Sequence, residues 1–172
     1  MKTVVNLRFA LMLVALFGTF MISPKQIEKL GDSYQIALPM IGLGCALANG
    51  QLVDFSIRFA SQWSVVQSSK SLLGAATINQ RPNGRGRGMP SGHTATAFFG
   101  ASYIATSCTG GNIWMKSTTY LTAIFVGGSR IEAKAHDIWQ VLLGALVGWL
   151  GDRAFRKISP KAWLRRVLGR GG

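Results

Sequence analysis

The chain has 172 residues, of which 48% are apolar, and a formal net charge of +13. This length suits a single domain, and such a composition alone does not separate soluble from membrane proteins. The excess of Lys and Arg indicates anionic partners, but a nucleic-acid ligand is disfavoured because the apolar residues form long blocks. Anionic lipid headgroups or a phosphorylated substrate fit this charge better.

Residues 9–22 form the first apolar block and follow Lys2 and Arg8. A basic start before an apolar block is typical of a signal peptide or of a first membrane helix. Because no small-residue cleavage site follows the block, residues 1–24 are predicted to remain as an uncleaved membrane anchor.

The next block, residues 34–48, follows a polar stretch at 26–33 that predicts a loop. Pro39 lies inside this block and predicts a kink, which membrane helices tolerate. Cys45 in this block and Cys108 far along the chain have no metal-ligand spacing and suggest no disulfide framework. Both are predicted to be small apolar core residues.

Residues 52–78 are ambiguous, because Asp54, Arg58 and Lys70 interrupt their apolar side chains. The segment either crosses a membrane with its polar side toward a bundle interior or lies on the membrane surface as an amphipathic helix.

The second half of the chain alternates polar loops with apolar segments. A Gly-rich polar loop at 79–90 precedes a helix that is rich in small residues and therefore suited to close packing. The remaining predicted segments are this helix at 91–107, a loop at 108–116, an apolar block at 117–128, a polar stretch at 129–135 and a last block at 137–150.

These blocks predict an all-α fold, a polytopic membrane bundle of about six short transmembrane helices, in one domain over residues 1–172. The basic tail at 152–172 predicts cytoplasmic termini, and the short loops are typical of a bacterial inner-membrane protein. An even number of crossings then brings the stretches at 79–90 and 129–136 together on the outer, periplasmic face. If residues 52–78 only lie on the surface, the two termini fall on opposite sides.

Three polar clusters lie at predicted helix ends on this outer face. Arginine forks bind phosphate oxygens bidentately, and free N–H groups at a helix start bind anions. A neutral histidine can attack phosphorus, and a protonated one can donate a proton to the leaving oxygen. The combination therefore predicts phosphoryl transfer without a metal, whereas each cluster alone is an ordinary turn or packing feature. The clusters are Arg81-Pro82, Pro90-Ser91-Gly92-His93, and Ser129-Arg130 followed by His136.

The clusters resemble the signature of the type 2 phosphatidic acid phosphatase (PAP2) superfamily, which reads Lys-x6-Arg-Pro, Pro-Ser-Gly-His and Ser-Arg-x5-His-x3-Asp. The resemblance implies a helical bundle with its site at the membrane boundary, and neither a cofactor nor a metal. It implies that His136 is the nucleophile that forms a phosphohistidine and that His93 is the general acid. The implied phosphate ligands are Arg81, Arg130, Ser91 and Gly92, with Pro82 in support.

One departure from that signature concerns its lysine. Gly74 stands at the lysine position, and Lys70, one helical turn earlier, is predicted to substitute by reaching along the same helix face. The alternative is that Lys70 faces a polar cavity and that Arg85 or Arg87 supplies the missing charge.

A second departure concerns the residue that supports the nucleophile, because Gln140 stands where the family has aspartate. From i+4 on the same helix face, its amide oxygen can accept the ring N–H of His136 and fix the tautomer, but it brings no charge. Asp137 and Glu132 are alternative partners, although Asp137 lies roughly 100° round the helix unless the helix starts after it.

The predicted function is hydrolysis of a lipid phosphate or diphosphate, with membrane lipids as further partners and no nucleic-acid partner. Candidate substrates are undecaprenyl diphosphate, phosphatidylglycerophosphate, phosphatidate and lipid A phosphates. Arg85 and Arg87 either add positive potential that favours multiply charged headgroups or belong to a plain flexible loop. Two rival functions stay open, namely a phosphotransferase that uses a lipid acceptor and a catalytically weak lipid-phosphate binding protein.

Overall fold

The computed structural model describes residues 23–154 and residue 156. Within them the secondary structure is helical and contains no strand, in agreement with the predicted all-α class. The predicted block at 9–22 and residues 157–172 of the predicted tail lie outside the described residues. The helices are α1 (Pro24–Ala48), α2 (Leu52–Leu72), α3 (Gly92–Ser107), α4 (Ile113–Glu132) and α5 (Ile138–Arg153), with a 3-10 turn at Thr77–Asn79.

Helices α2 and α4 differ in extent from their sequence predictions. The ambiguous segment at 52–78 is an α-helix only as far as Leu72. The apolar block at 117–128 belongs to a longer helix, which carries Ser129 and Arg130 in its last turn. In residues 23–154 and 156, no helix has both the length and the apolarity that a membrane crossing requires.

The start of α1 corrects one prediction, since the polar stretch at 26–33 is helical rather than a loop. Pro24 occupies the first helical turn. Backbone N–H groups there have no partner within the helix, so the missing N–H of proline costs no hydrogen bond. The side-chain Oε1 of Gln26 accepts the backbone N–H of Ser23 at 3.1 Å, which satisfies a donor at the helix end. The helix also continues through Pro39. Its polar first turns therefore extend beyond the apolar block that the sequence marks.

Helix α3 lies at the centre of the bundle and packs against α1, α4 and α5. A Cβ at Gly100 of α3 would lie 2.5 Å from the backbone nitrogen of Pro39 in α1. A Cβ at Gly148 of α5 would overlap the carbonyl group of Ala95 in α3. Small residues thus permit the close helix packing that the sequence predicted for α3. The buried apolar core around it consists of Leu38, Ala97, Ala101, Ile104, Ala123 and Val126.

The two cysteines correct another prediction, because Cys45 and Cys108 form a disulfide instead of lying unpaired in the core. They are 63 residues apart in sequence, and their Cα atoms are 6.1 Å apart. The helices α1 and α3 run parallel, so that their C-terminal ends meet at this bond and their N-terminal ends meet at the site described below. At 1.5 Å per helical residue, Cys45 lies about 20 Å along α1 from Asp32.

Candidate active site

The N-terminal ends of α1 and α3 meet the C-terminal end of α4 around a polar cavity of about 280 Å³. The three sequence clusters contribute Arg81, His93, Arg130 and His136 to its wall. The fold therefore brings together side chains that lie far apart in the chain. The rest of the wall consists of Glu28, Asp32, Asn83, Arg85, Ala133 and Ala135.

A tight turn carries His136 to the cavity. The backbone N–H groups of Ala135 and His136 donate to the carbonyl oxygen of Arg130 at 3.0 and 3.2 Å, which closes the end of α4. Helix α5 then begins after Asp137, whose side-chain oxygen accepts the backbone N–H of Gln140 at 2.9 Å. Asp137 is thus the N-cap of α5 and is not a partner of the histidine ring. Glu132, the other alternative partner, is exposed near the end of α4 and does not line the cavity.

The His136 ring contacts Gln140, with Nδ1 of the ring 2.9 Å from Oε1 of the amide. The orientation of the amide follows from its other end, because Nε2 of Gln140 donates to the carbonyl oxygens of Ile78 at 3.2 Å and Gln80 at 2.7 Å. Oε1 is then an acceptor, so Nδ1 of His136 carries the ring proton and Nε2 keeps its lone pair. A Cβ at Gly88 would lie 2.5 Å from the amide nitrogen, and glycine there lets the loop cover Gln140.

Charge and burial keep this ring neutral. His136 is 2% exposed. Burial lowers its pKa to about 4, the bond to Gln140 opposes this shift, and the nearby charge of Arg81 adds to it. A histidine with this pKa is unprotonated at pH 7, which is the form that acts as a nucleophile. Burial and the neighbouring Arg85 also lower the pKa of Arg81 from its ordinary value, yet an arginine stays charged near neutrality.

The loop at 79–90 is anchored by Asn79, which is fully buried. Its Nδ2 donates to the carbonyl oxygens of Lys70 at 3.0 Å and Gly74 at 2.8 Å. Its Oδ1 accepts the backbone N–H of Met89 at 3.0 Å. The loop is therefore a fixed wall of the site. The sequence carried no signal for Asn79, since an asparagine before a Gly-rich loop is ordinary turn chemistry.

Arg130 is 3% exposed, and its guanidinium is held from two sides. Nη2 donates to the carbonyl oxygen of Glu28 at 2.8 Å, and Nε donates to Oγ of Ser129 at 3.2 Å. The third nitrogen, Nη1, lies 2.9 Å from Oδ1 of Asp32. Gly31 allows α1 to come this close, because a Cβ there would overlap the Ser129 side chain.

Ser91, which the sequence resemblance implied as a phosphate ligand, makes hydrogen bonds to neighbouring residues of the protein. It is the N-cap of α3 and is fully buried. Its Oγ accepts the hydroxyl of Thr94 at 2.9 Å, and its backbone N–H donates to the carbonyl oxygen of Gln140 at 2.8 Å. Both groups of Ser91 are therefore engaged inside the protein, where they join the start of α3 to α5.

His93 and Gly92 lie in the first turn of α3. Nε2 of His93 lies 3.2 Å from Oδ1 of Asp32. Arg81, in the loop that faces them, has a buried Nε with no hydrogen-bond partner among the described residues. An arginine with an unmatched donor beside a polar cavity is suited to bind an anion there.

Two carboxylates at the cavity, Glu28 and Asp32, were not among the residues predicted from sequence. Both lie in the stretch at 26–33 that the sequence predicts to be a loop. The residues Ser23, Pro24 and Gln26 nevertheless form a Ser-Pro-x-Gln start that is typical of a helix N-terminus. Among residues 23–154 and 156, no group of three or more His, Cys, Asp or Glu side chains is arranged to hold a metal ion.

Comparison with known proteins points to the same segment of the chain. Residues 54–164 match the sequence profile of the PAP2 superfamily. This chain belongs to the PAP2 superfamily. It is 33% identical over 114 residues to the lipid A 1-phosphatase of Porphyromonas gingivalis, a match that covers 61% of this chain and 25% of that protein.

A second PAP2 relative is the lipid A 4'-phosphatase of Helicobacter pylori. The two chains are 34% identical over 80 residues, which cover 45% of this chain and 38% of that protein. The matched segments are therefore well under half the length of either relative. No solved structure matches this chain.

The PAP2 lysine position is occupied by Gly74, which lies in the turn after α2 with a φ of 48°. The helix ends at Leu72, so Lys70 and Arg81 do not share one continuous helix face as predicted. Lys70 nevertheless lies at the site, since it is 8% exposed and its Nζ would be 3.5 Å from a Cβ at Gly92. Tertiary packing of α2 on α3 therefore brings this ammonium group to the start of α3.

A second, largely apolar groove of about 650 Å³ adjoins the PAP2 site along α1 and α2. Arg81 and His93 line both this groove and the polar cavity, so the two spaces meet at these side chains. Lys70 and Gly92 also line the groove. Its apolar side chains are Ile36, Pro39, Met40, Leu43, Phe55, Phe59, Trp63 and Val66.

Proposed function

We propose that this protein is a membrane phosphatase that hydrolyses a lipid phosphate through a phosphohistidine at His136. The observation that carries the proposal is the state of this ring, which is buried and neutral and has Nδ1 held by Gln140 at 2.9 Å. Its other nitrogen is the nucleophile. Arg81 and Arg130 line the same cavity and supply the positive charge that a transferring phosphoryl group requires.

The reaction takes place in two steps. Nε2 of His136 attacks phosphorus, the bond from phosphorus to the leaving oxygen breaks, and His93 donates a proton to that oxygen. Arg81 and Arg130 hold the non-bridging oxygens while this charge develops. Water then attacks phosphorus, the bond from phosphorus to Nε2 of His136 breaks, and the water gives a proton to His93. Inorganic phosphate leaves, and both histidines return to their starting states.

Other predicted residues have supporting roles in this proposal. Lys70 takes the place of the PAP2 lysine, because its ammonium group lies beside Gly92 at the start of α3. Gly92 offers its backbone N–H to a phosphoryl oxygen. Ser91 positions the start of α3 through its internal hydrogen bonds. Pro82 lies in the turn that orients Arg81.

The proposed substrate class is a lipid phosphate, and a lipid A phosphate is favoured because both relatives are lipid A phosphatases. The apolar groove supports a lipid substrate, since it meets the polar cavity at Arg81 and His93. A phosphate in the cavity would leave its hydrocarbon part directed along the groove. Undecaprenyl diphosphate, phosphatidylglycerophosphate and phosphatidate are the other classes to test.

The site is proposed to face the periplasmic side of a bacterial inner membrane, with the helices crossing it. The disulfide of Cys45 and Cys108 would then lie at the cytoplasmic end of α1 and α3, where thiols stay reduced. We therefore expect both cysteines to react with a permeant thiol reagent in intact cells and to form the bond after purification. A disulfide already present in growing cells would indicate the opposite orientation.

The test of the activity is phosphate release by detergent-purified protein from the four lipid classes in the presence of a chelator. The parent should release phosphate from at least one class, and His136→Ala should release none. Glu132→Gln is the matched control, because this exposed side chain near the end of α4 does not line the cavity. Acid-labile phosphoprotein should form in the parent and not in His136→Ala. Release by His136→Ala at the parent rate would exclude the proposed nucleophile.

A second candidate function is retention of a lipid phosphate with little turnover. Gln140 favours it, because an amide at the PAP2 aspartate position brings no charge to stabilise a phosphorylated ring. This function predicts lipid binding by the parent without phosphate release. A phosphotransferase would instead deliver the labelled phosphoryl group to an added acceptor lipid, which the same assay detects.

A further inference from the structure

Asp32 lies at the centre of the proposed phosphate site, although it is not part of the signature clusters. Its Oδ1 is 2.9 Å from Nη1 of Arg130 and 3.2 Å from Nε2 of His93. One carboxylate oxygen thus bridges the arginine and the histidine that the mechanism assigns to the phosphate and to its leaving oxygen. Oδ1 is buried and forms ion pairs with these groups without a hydrogen bond among the described residues. A phosphate oxygen that paired with the same two groups would occupy its position.

The arginine stays in place without Asp32. Nη2 of Arg130 donates to the carbonyl oxygen of Glu28 at 2.8 Å, and its Nε donates to Oγ of Ser129 at 3.2 Å. Oγ of Ser129 is itself fixed, because it donates to the carbonyl oxygen of Val126 at 2.7 Å. The carboxylate of Glu28 is more distant, with Oε1 3.9 Å from Nη1 of Arg130. The anion position is therefore preformed, and Asp32 is its occupant.

Asp32 can leave this position without a change in the helix packing. Its side chain is 48% exposed, so a rotation about its own bonds carries the carboxylate into solvent. The packing of α1 on α4 is maintained at Gly31, whose Cα faces the Ser129 side chain. A phosphate requires that rotation, because two anions at one pair of donors repel each other strongly in a partly buried site.

We propose that Asp32 competes with the phosphate group for its own binding site: it fills the anion position in the free protein and is displaced when a phosphate group binds. The inference rests on the proposed phosphatase function of this cavity. For inorganic phosphate, only the contacts in the cavity offset the free-energy cost of displacing Asp32. A lipid phosphate adds the contacts of its hydrocarbon part in the groove that meets the cavity at Arg81 and His93. The displacement weakens the binding of both anions by the same factor, so Asp32 keeps free phosphate, including the reaction product, from filling the site, while the contacts in the groove allow a lipid phosphate to bind.

The test is the dissociation constant of inorganic phosphate, measured by calorimetry for the detergent-purified parent, Asp32→Asn and Glu132→Gln. Asp32→Asn keeps the shape of the side chain and removes its charge. Glu132→Gln makes the same change in net charge at an exposed residue outside the cavity. If the carboxylate fills the site for nine-tenths of the time, Asp32→Asn should lower the dissociation constant about tenfold, while Glu132→Gln should leave it at the parent value.

Lipid hydrolysis at lipid concentrations well below KM provides the second measurement, in which phosphate should inhibit Asp32→Asn at concentrations about tenfold lower than the parent. If Asp32→Asn does not fold, Asp32→Ala makes the same test, and added formate should return its phosphate affinity toward that of the parent. The inference is overturned if the parent hydrolyses lipid but binds phosphate at least as tightly as both variants. If no protein in the series hydrolyses lipid or binds phosphate, the proposed function fails and the inference fails with it.

Discussion

Replacement of Gln140 by methionine tests the hydrogen bonds that hold His136, the proposed nucleophile. The change keeps the length of the side chain and removes its contacts to Ile78, Gln80 and His136, at 3.2, 2.7 and 2.9 Å. Gln140 is fully buried. At about 1 kcal/mol for each lost bond, the free energy of unfolding should fall by about 3 kcal/mol.

The same replacement should slow the reaction. Without Oε1 as acceptor, the proton of the neutral His136 ring is no longer confined to Nδ1, and the nucleophilic nitrogen is protonated in part of the molecules. The ring also loses the contact that fixes its direction. We expect kcat for phosphate release from the lipid substrate to fall about 100-fold, and the midpoint of thermal unfolding to fall by about 6–12 °C.

The matched control is Gln51→Met at the other end of the bundle, where Oε1 of Gln51 accepts the hydroxyl of Tyr103 at 3.0 Å. This variant also loses a hydrogen bond and should keep the parent kcat. A Gln140→Met protein that unfolds at a lower temperature but retains kcat would mean that the amide supports only the fold. A variant unchanged in both measurements would show that the three contacts do not hold Gln140 in solution.

Three further predictions follow from burial, packing and charge. Because burial lowers the pKa of His136 from 6.5 to about 4, the unfolded chain binds more protons between these pH values. The free energy of unfolding should therefore be highest above about pH 6.5 and fall by on the order of 3 kcal/mol as the pH drops toward 4. In His136→Ala, the free energy of unfolding measured by chemical denaturation should vary less with pH over that range. Gly31→Ala should destabilise the protein by about 1–3 kcal/mol and reduce lipid hydrolysis, because its Cβ overlaps α4. Gly44→Ala in the same helix meets nothing within 4 Å and should stabilise the protein by about 0.5–1 kcal/mol, so equal effects in thermal unfolding would contradict the packing argument. Lys70→Ala should raise KM for the lipid phosphate about tenfold, whereas Lys29→Ala should not, and an unchanged KM and kcat in Lys70→Ala would remove this residue from the site.

Local sequence determined the helical character of the chain and the positions of its polar clusters. The alternation of apolar blocks with Gly-rich loops is enough to place α3, α5 and the loop at 79–90. The spacing of apolar residues and the residue preferences of turns depend on only a few neighbouring residues. The pairing of Gln140 with His136 was also readable, since residues at i and i+4 share a helix face. The sequence also contains Ser23 and Gln26, which cap the start of α1, but the polar character of residues 26–33 led to the prediction of a loop there.

Tertiary structure decided which groups meet at the site and which are engaged elsewhere. Asp32 contacts Arg130 across 98 positions of sequence only because a glycine lets α1 pack directly on α4. Ser91 is turned inward because the backbone of α5 accepts its N–H, and Cys45 meets Cys108 because α1 and α3 run parallel. Such contacts depend on the distance between helices and on their rotation about their own axes. Both are set by packing over the whole bundle, and no local pattern in the sequence encodes them.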